Sequence, residues 1–195
     1  MRTRILGMAL GAAVLAGCNG EPTSLQPIDP GSMSFSYESA RTGTYTASGA
    51  FTANNGNAVQ ALPFAAGVRI DNPVAGQIVG IIAWMPVGSI TGHQATFLLP
   101  PVTAAGQTFA LAKSCTTTTF CPGGVLSFDL NLAPTGLDPD TFVFTSGTLT
   151  ITSLSGERVA GTFSGVAEDS AGIRVVTVTD GTFDVPLVDE SRLGQ

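Results

Sequence analysis

From Met33 onward, short runs rich in Val, Ile, Phe, Tyr and Thr alternate with breaks made of Gly, Pro, Asn and Asp. No stretch sustains an apolar period of 3.6 residues with caps at its ends, whereas several hold a period of two, so the pattern predicts strands throughout. Ten runs qualify: 33–39, 42–51, 65–71, 77–86, 94–100, 107–113, 125–132, 141–154, 158–168 and 173–187. In the second, TYTASGAF, the residues Tyr45, Ala47, Gly49 and Phe51 share one face while the threonines and serine take the other, the mark of a half-buried strand with one wet side. The fourth, QIVGIIAWMP, is apolar on both faces. That places Trp84 in the core of a fully buried strand rather than on an exposed platform for sugars. Ten strands at this spacing predict an all-β domain, an antiparallel β-sandwich or flattened barrel.

A small unit recurs along these strands: Gly43-Thr44-Tyr45, Gly147-Thr148-Leu149, Gly161-Thr162-Phe163 and Gly181-Thr182-Phe183. A glycine can bend or bulge a strand, after which the threonine and the large apolar residue point to opposite faces. The spacing is too irregular for a solenoid. The units are read as strand geometry rather than as a ligand motif.

The first 32 residues follow another pattern. Met1-Arg2-Thr3-Arg4 carries two positive charges and is followed by ILGMALGAAVLA, which carries none; this is the layout of a secretory signal peptide. The apolar run falls short of the roughly 20 residues that a membrane-spanning helix needs. It closes on Leu15-Ala16-Gly17-Cys18, which resembles the lipobox of bacterial lipoproteins. The small residues before the cut suit a peptidase cleft, and the thiol of the cysteine is the nucleophile. The resemblance implies that Cys18 takes a diacylglycerol thioether and becomes an acylated N-terminus. Each buried methylene adds about 0.8 kcal/mol, and stable anchoring takes more than one chain. Position 19 is Asn, not the Asp that retains lipoproteins at the inner membrane in some bacteria. The expected address is therefore the outer membrane, on its periplasmic or its surface side. Residues 19–32, NGEPTSLQPIDPGS, hold three prolines and little that could form a core, and read as a flexible tether. The expected division is a signal peptide at 1–17, a lipidated linker at 18–32 and a single β domain at 33–195. The 178 residues left after residue 17 are enough for one real core.

The stretch SGTLTITSLSGERVAGTFSGVAEDSAGIRVVTVTDGTFDVPL is similar to the C-terminal part of small bacterial cell-envelope lipoproteins of unknown function. Those end on a strand, a Gly-Thr-Phe strand, a polar hairpin, and a strand closing on Thr-Asp/Asn-Gly-Thr-Phe. The resemblance implies a β-sandwich-like envelope domain and assigns no functional residues.

Charge and chemistry narrow the function classes. The net charge of −6 becomes −8 once Arg2 and Arg4 are removed, and the remaining basic residues are scattered, so no patch for nucleic acid exists. Cys115 and Cys121, separated by Thr-Thr-Thr-Thr-Phe, read as a local disulfide in an oxidising compartment. In the chain-entropy picture so small a loop adds roughly 2–3 kcal/mol. Zinc would need about four ligands, and the one histidine, His93, is distant in sequence. His93 stands at a loop-to-strand junction and is read as structural. His93 is thus the only histidine that could serve as base in a hydrolase triad, and no G-x-S-x-G elbow occurs. Lys113 and Ser114 are adjacent on a strand and point apart. The acidic pairs Asp138/Asp140, Glu168/Asp169 and Asp189/Glu190 could serve glycoside hydrolysis in principle. Each sits beside turn or terminal residues and reads as turn chemistry. None follows the calcium-loop pattern. No catalytic residue, cofactor or metal is assigned. The expected function is a non-enzymatic, lipid-anchored structural or interaction module of the cell envelope. The alternative is a binder of a small apolar or saccharide ligand, and an acid-dependent glycosidase comes third.

Overall fold

Each run that alternates in the sequence is extended in three dimensions. The computed structural model describes residues 29–40, 42–51, 62–73, 75–88, 91–113, 120–131 and 140–190. Ten strands lie in these residues: β1 (Gly31–Glu38), β2 (Thr42–Gly49), β3 (Phe64–Asn72), β4 (Gly76–Pro86), β5 (Thr91–Leu99), β6 (Thr108–Ala110), β7 (Gly123–Asn131), β8 (Asp140–Leu154), β9 (Arg158–Glu168) and β10 (Val175–Asp189). The fold is all-β, as the alternation predicts. β1 begins at Gly31, two residues ahead of the expected start, and the expected run at 107–113 holds only the three residues of β6.

Pairing follows the path β3-β4-β5-β7-β8, and β9 joins β8 to β10, which returns to β3. Seven strands therefore close on themselves, so the flattened-barrel form of the expectation is the one realised. Closure removes most edges, which is how an all-β chain avoids unpaired backbone groups. One departure from antiparallel pairing occurs: Leu187–Asp189 of β10 runs parallel to Gly67–Arg69 of β3. β10 is long enough to have two partners along one edge. Its first part pairs with β1 from Thr177 to Asp184, and its last part pairs with β3. The β1–β2 hairpin thus branches off the barrel wall at β10.

Strand directions put the β1–β2, β4–β5, β7–β8 and β9–β10 connections at one end, here the upper end, and the β3–β4 and β8–β9 turns at the lower end. A bulge interrupts β10: its ladder with β9 slips between Val178 and Gly181 and its ladder with β1 between Thr179 and Thr182, and Asp180 takes a left-handed backbone with φ of 54°. The side chains that face inward are Val176 and Val178 before the bulge and Phe183 and Val185 after it. The slip therefore switches the inward parity from even to odd, as an extra residue must.

The interior is filled by side chains. Phe35, Tyr45, Phe97, Phe144, Phe163 and Phe183 are all buried in one cluster. Phe35 stacks on Tyr45 at 4.7 Å, and Phe97 meets Phe163 at the same centroid distance. Four inward rings each sit directly opposite a glycine of the adjacent strand: Tyr37 opposite Gly43, Phe97 opposite Gly124, Phe163 opposite Gly181 and Phe183 opposite Gly161. The last two pairs are reciprocal. A Cβ on Gly161 would lie 2.5 Å from Cζ of Phe183, and one on Gly181 would lie 2.6 Å from Cδ2 of Phe163. The Gly-Thr-Phe units are thereby explained: the glycine is a recess for the neighbouring ring, and the threonine faces out.

Gly181→Ala should destabilise the fold by about 1–3 kcal/mol, the usual cost of overpacking a filled core, and lower the midpoint of urea unfolding with an unchanged slope. An unchanged midpoint would mean that the Phe163 ring does not depend on the recess.

Candidate functional site

Three places gather polar or aromatic groups: the upper end of the barrel, a depression at its lower end, and the outer walls.

At the upper end the inward positions are Tyr37 of β1, His93 of β5, Phe128 of β7 and Phe142 of β8. Phe128 is the hub, with ring centroids 5.1 Å from Tyr37, 5.2 Å from His93 and 5.9 Å from Phe142. His93, expected at a surface junction, is half-buried against this ring group, and its backbone carbonyl accepts a 3.5 Å hydrogen bond from the Tyr45 hydroxyl. Its place is inside the barrel end. Burial pushes the Tyr45 phenol up, so it stays protonated as a donor.

Above the rings, a polar clasp ties the β9–β10 turn to β8. Asp169 accepts from the Ile173 backbone N–H at 2.9 Å and from Arg174 Nε at 2.9 Å. Arg174 also pairs with Asp140 at the start of β8 and lies 5.3 Å over the Phe142 ring. The turn closes by two backbone bonds, Asp169 N–H to the Arg174 carbonyl and Gly172 N–H to the Asp169 carbonyl. Asp169 is buried to 9% side-chain exposure, while Arg174 and Asp140 are both about half exposed, so the outer pair is screened and contributes little. The acidic pairs read from sequence thus resolve into turn chemistry at Glu168/Asp169. Asp140 is brought next to that turn by the fold. Asp138 lies outside the described residues.

The third pair, Asp189/Glu190, borders an open depression of about 570 Å³ at the lower end, with Arg69, Asp71 and Gln77 around it. Arg69 is already engaged there, by Asp189 at 3.4 Å and by the Gly156 carbonyl at 2.6 Å. Among the described residues no group of three or more His, Cys, Asp or Glu is placed to hold a metal ion.

The outer walls differ sharply in chemistry. Across β2, β1, β10, β9, β8 and β6 the residues Thr46, Ser34, Thr182, Thr162, Thr150 and Thr108 stand directly opposite one another. They form one transverse row of hydroxyls at the ordinary strand spacing of about 4.8 Å. Ser34 bonds Thr182 at 3.1 Å and Thr108 bonds Thr150 at 3.0 Å, which is stabilising cross-strand pairing on a wet face. On β3 and β4 the outward positions are apolar instead: Phe64 stands opposite Trp84, Ala66 opposite Ile82, and Ile70 opposite Ile78, whereas on β5 Gln94 and Thr96 face outward beside Trp84 and Ile82. Trp84 is 4% exposed, so its burial is as the sequence predicts. It does not belong to the core cluster, however; it lies on the outer wall beside Gly92, where a Cβ would come within 2.6 Å of the indole Cη2. Two-sided apolarity of β4 marks an apolar outer wall here rather than a strand sandwiched inside a core. Among the described residues the buried indole N–H of Trp84 has no acceptor.

Cys18, Cys115 and Ser114 lie outside the described residues, while Cys121 precedes β7 and Lys113 is exposed. The clasp partner Arg174 was not singled out by sequence; only the fold brings it to Asp140, 34 residues away. No protein-family profile, curated protein or solved structure matches this chain.

The hydrogen bond from Arg174, followed by the bond from Ile173, pulls the Asp169 carboxyl from its ordinary 3.8 down to about 2. A carboxylate with a depressed folded pKa stabilises the fold above its unfolded value and loses that contribution as pH falls through the folded one. Thermal melts should therefore show the wild-type chain losing stability between about pH 4 and pH 2 through this group. The Asp169→Asn variant should melt lower at neutral pH and fall less across that window. Parallel curves for the two chains would remove the clasp from the acid response.

Proposed function

We propose that the chain is a lipid-anchored cell-envelope protein whose barrel works through its outer surface, as a non-enzymatic structural or interaction module. The observation that carries this reading is the filled interior: aromatic rings, each seated against glycine or another ring, occupy the space where an enclosed ligand or a reaction would need room. The alternative, a small apolar or saccharide ligand held in the barrel mouth, would have to displace the ring group around Phe128. The glycosidase reading would need two carboxylates free to act, and Asp140 and Asp169 both bind Arg174.

Anchoring through Cys18 is supported by the lipobox-like LAGC, by the charged and apolar segments before it and by the proline-rich tether after it. The outer membrane is the proposed address, on the strength of Asn19. A local bridge between Cys115 and Cys121 fits their short spacing.

Labelling cells with radioactive palmitate should mark the wild-type protein and leave Cys18→Ala unmarked, and equal label in both would sink the anchor. In the purified protein, Cys115 and Cys121 should resist alkylation until a reductant is added. Alkylation of both without reduction would exclude the bridge.

A further inference from the structure

We propose that the outer wall of β3 and β4 is a bilayer-contact face, on which the domain lies beside its own anchor. Outward positions of a water-facing antiparallel sheet are normally polar. Hydroxyls dominate them on β1, β2, β8, β9 and the first half of β10, where Val175 is an exposed exception. On β3 and β4 the same positions hold Phe64, Ile70, Ile82 and Trp84, half-buried or buried. Toward the upper end this wall continues into Leu62, which is 73% exposed, and Val87, which is 50% exposed. Leu62 lies two residues before Phe64 and Val87 three residues after its partner Trp84, so the two project from the same end of the same strand pair.

The place where the tether joins the barrel selects the occupant. Gly31 has its backbone pressed against the Ala65 carbonyl at the start of β3 and against the Pro186 ring, and Arg158 holds the Pro30 carbonyl just before it. The tether therefore meets the domain at the border of the apolar wall. Eleven residue steps separate Cys18 from Asp29, a reach of at most about 40 Å when extended. The inference rests on Cys18 as the anchor: held this close, a modest apolar area meets the bilayer at high effective concentration and suffices where it would not hold a free domain. The chain is acidic, so the fitting surface is a zwitterionic one; an anionic leaflet would repel it.

Trp84 is the sole tryptophan and sits in this wall, which makes it the reporter. The chain from Cys18 onward retains every described residue. It would be coupled through the Cys18 thiol to a maleimide-headgroup lipid in phosphatidylcholine vesicles whose acyl chains are brominated or unmodified. Chemical coupling makes the outcome independent of acylation in cells, so a failure here and a failure of the palmitate label are separate results. Trp84 emission should be lost with brominated chains and kept with unmodified ones. Leu62→Asp combined with Val87→Asp, both at exposed positions, should restore the emission, whereas Thr182→Asp on the hydroxyl wall should leave the loss intact. Circular dichroism would confirm that each variant keeps its strands. Unchanged emission with brominated chains, or equal loss in the double variant, would overturn the proposal. So would a lipid-independent dimer in sedimentation that the double variant dissolves, since the wall would then belong to a second copy of this chain.

Discussion

A ring on one strand and a glycine directly across from it on the next is the contact on which the barrel depends. Seven strands enclose a narrow space, and large side chains can occupy it only if some neighbours give up their own. Gly124, Gly161 and Gly181 do so for Phe97, Phe183 and Phe163, and Gly43 does the same for Tyr37 in the β1–β2 hairpin beside the barrel. The Phe163/Gly181 and Phe183/Gly161 exchange locks β9 to β10 in one register, because a shift by one residue would point both rings to the outside. The bulge at Asp180 serves the same end. Without the added residue, Phe183 would share the parity of the exposed threonines.

Much of the secondary structure was legible because a period of two is a local property: ten runs were readable from residue types alone, and ten strands lie in the described residues. Pairing is not local. Nothing in VVTVTDGTFDVPL announces that this strand runs beside β1, β9 and β3 in turn, or that its last residues lie parallel to β3. The Gly-Thr-Phe units were recognisable as geometry, yet their meaning needed the partner strand, since each glycine accommodates a ring that is not its own neighbour in sequence. Trp84 shows the same limit. Apolarity on both faces of β4 correctly indicated burial, but a sequence cannot say whether the second apolar face looks into a core or out of a barrel. Turn chemistry at Asp169 was readable from Asp-Ser-Ala-Gly, whereas the reach of Arg174 to Asp140 depends on β8 and β10 lying on either side of β9.

The two outer walls divide the molecule by chemistry in a way its composition conceals. Threonine on an exposed strand is favourable for the backbone and for its cross-strand neighbour, so the hydroxyl wall is sufficient to explain itself as folded structure. The apolar wall is not explained in that way, because nothing in strand formation requires Phe64, Ile82 and Trp84 to share an outward face. That asymmetry is why the outside of the barrel, and not its interior, carries the functional reading.

β10 has a consequence in time as well as in space. It is the last of the ten described strands, and it pairs with the first; Ser34 and Thr182 touch across 148 positions of chain. Neither β1 nor β3 can complete its ladder until β10 arrives, and contacts of such long sequence separation make folding slow. The β1–β2 hairpin by itself is at best marginal in water. The ladders from β3 to β9 can form in chain order, but the barrel closes only when its last described strand arrives.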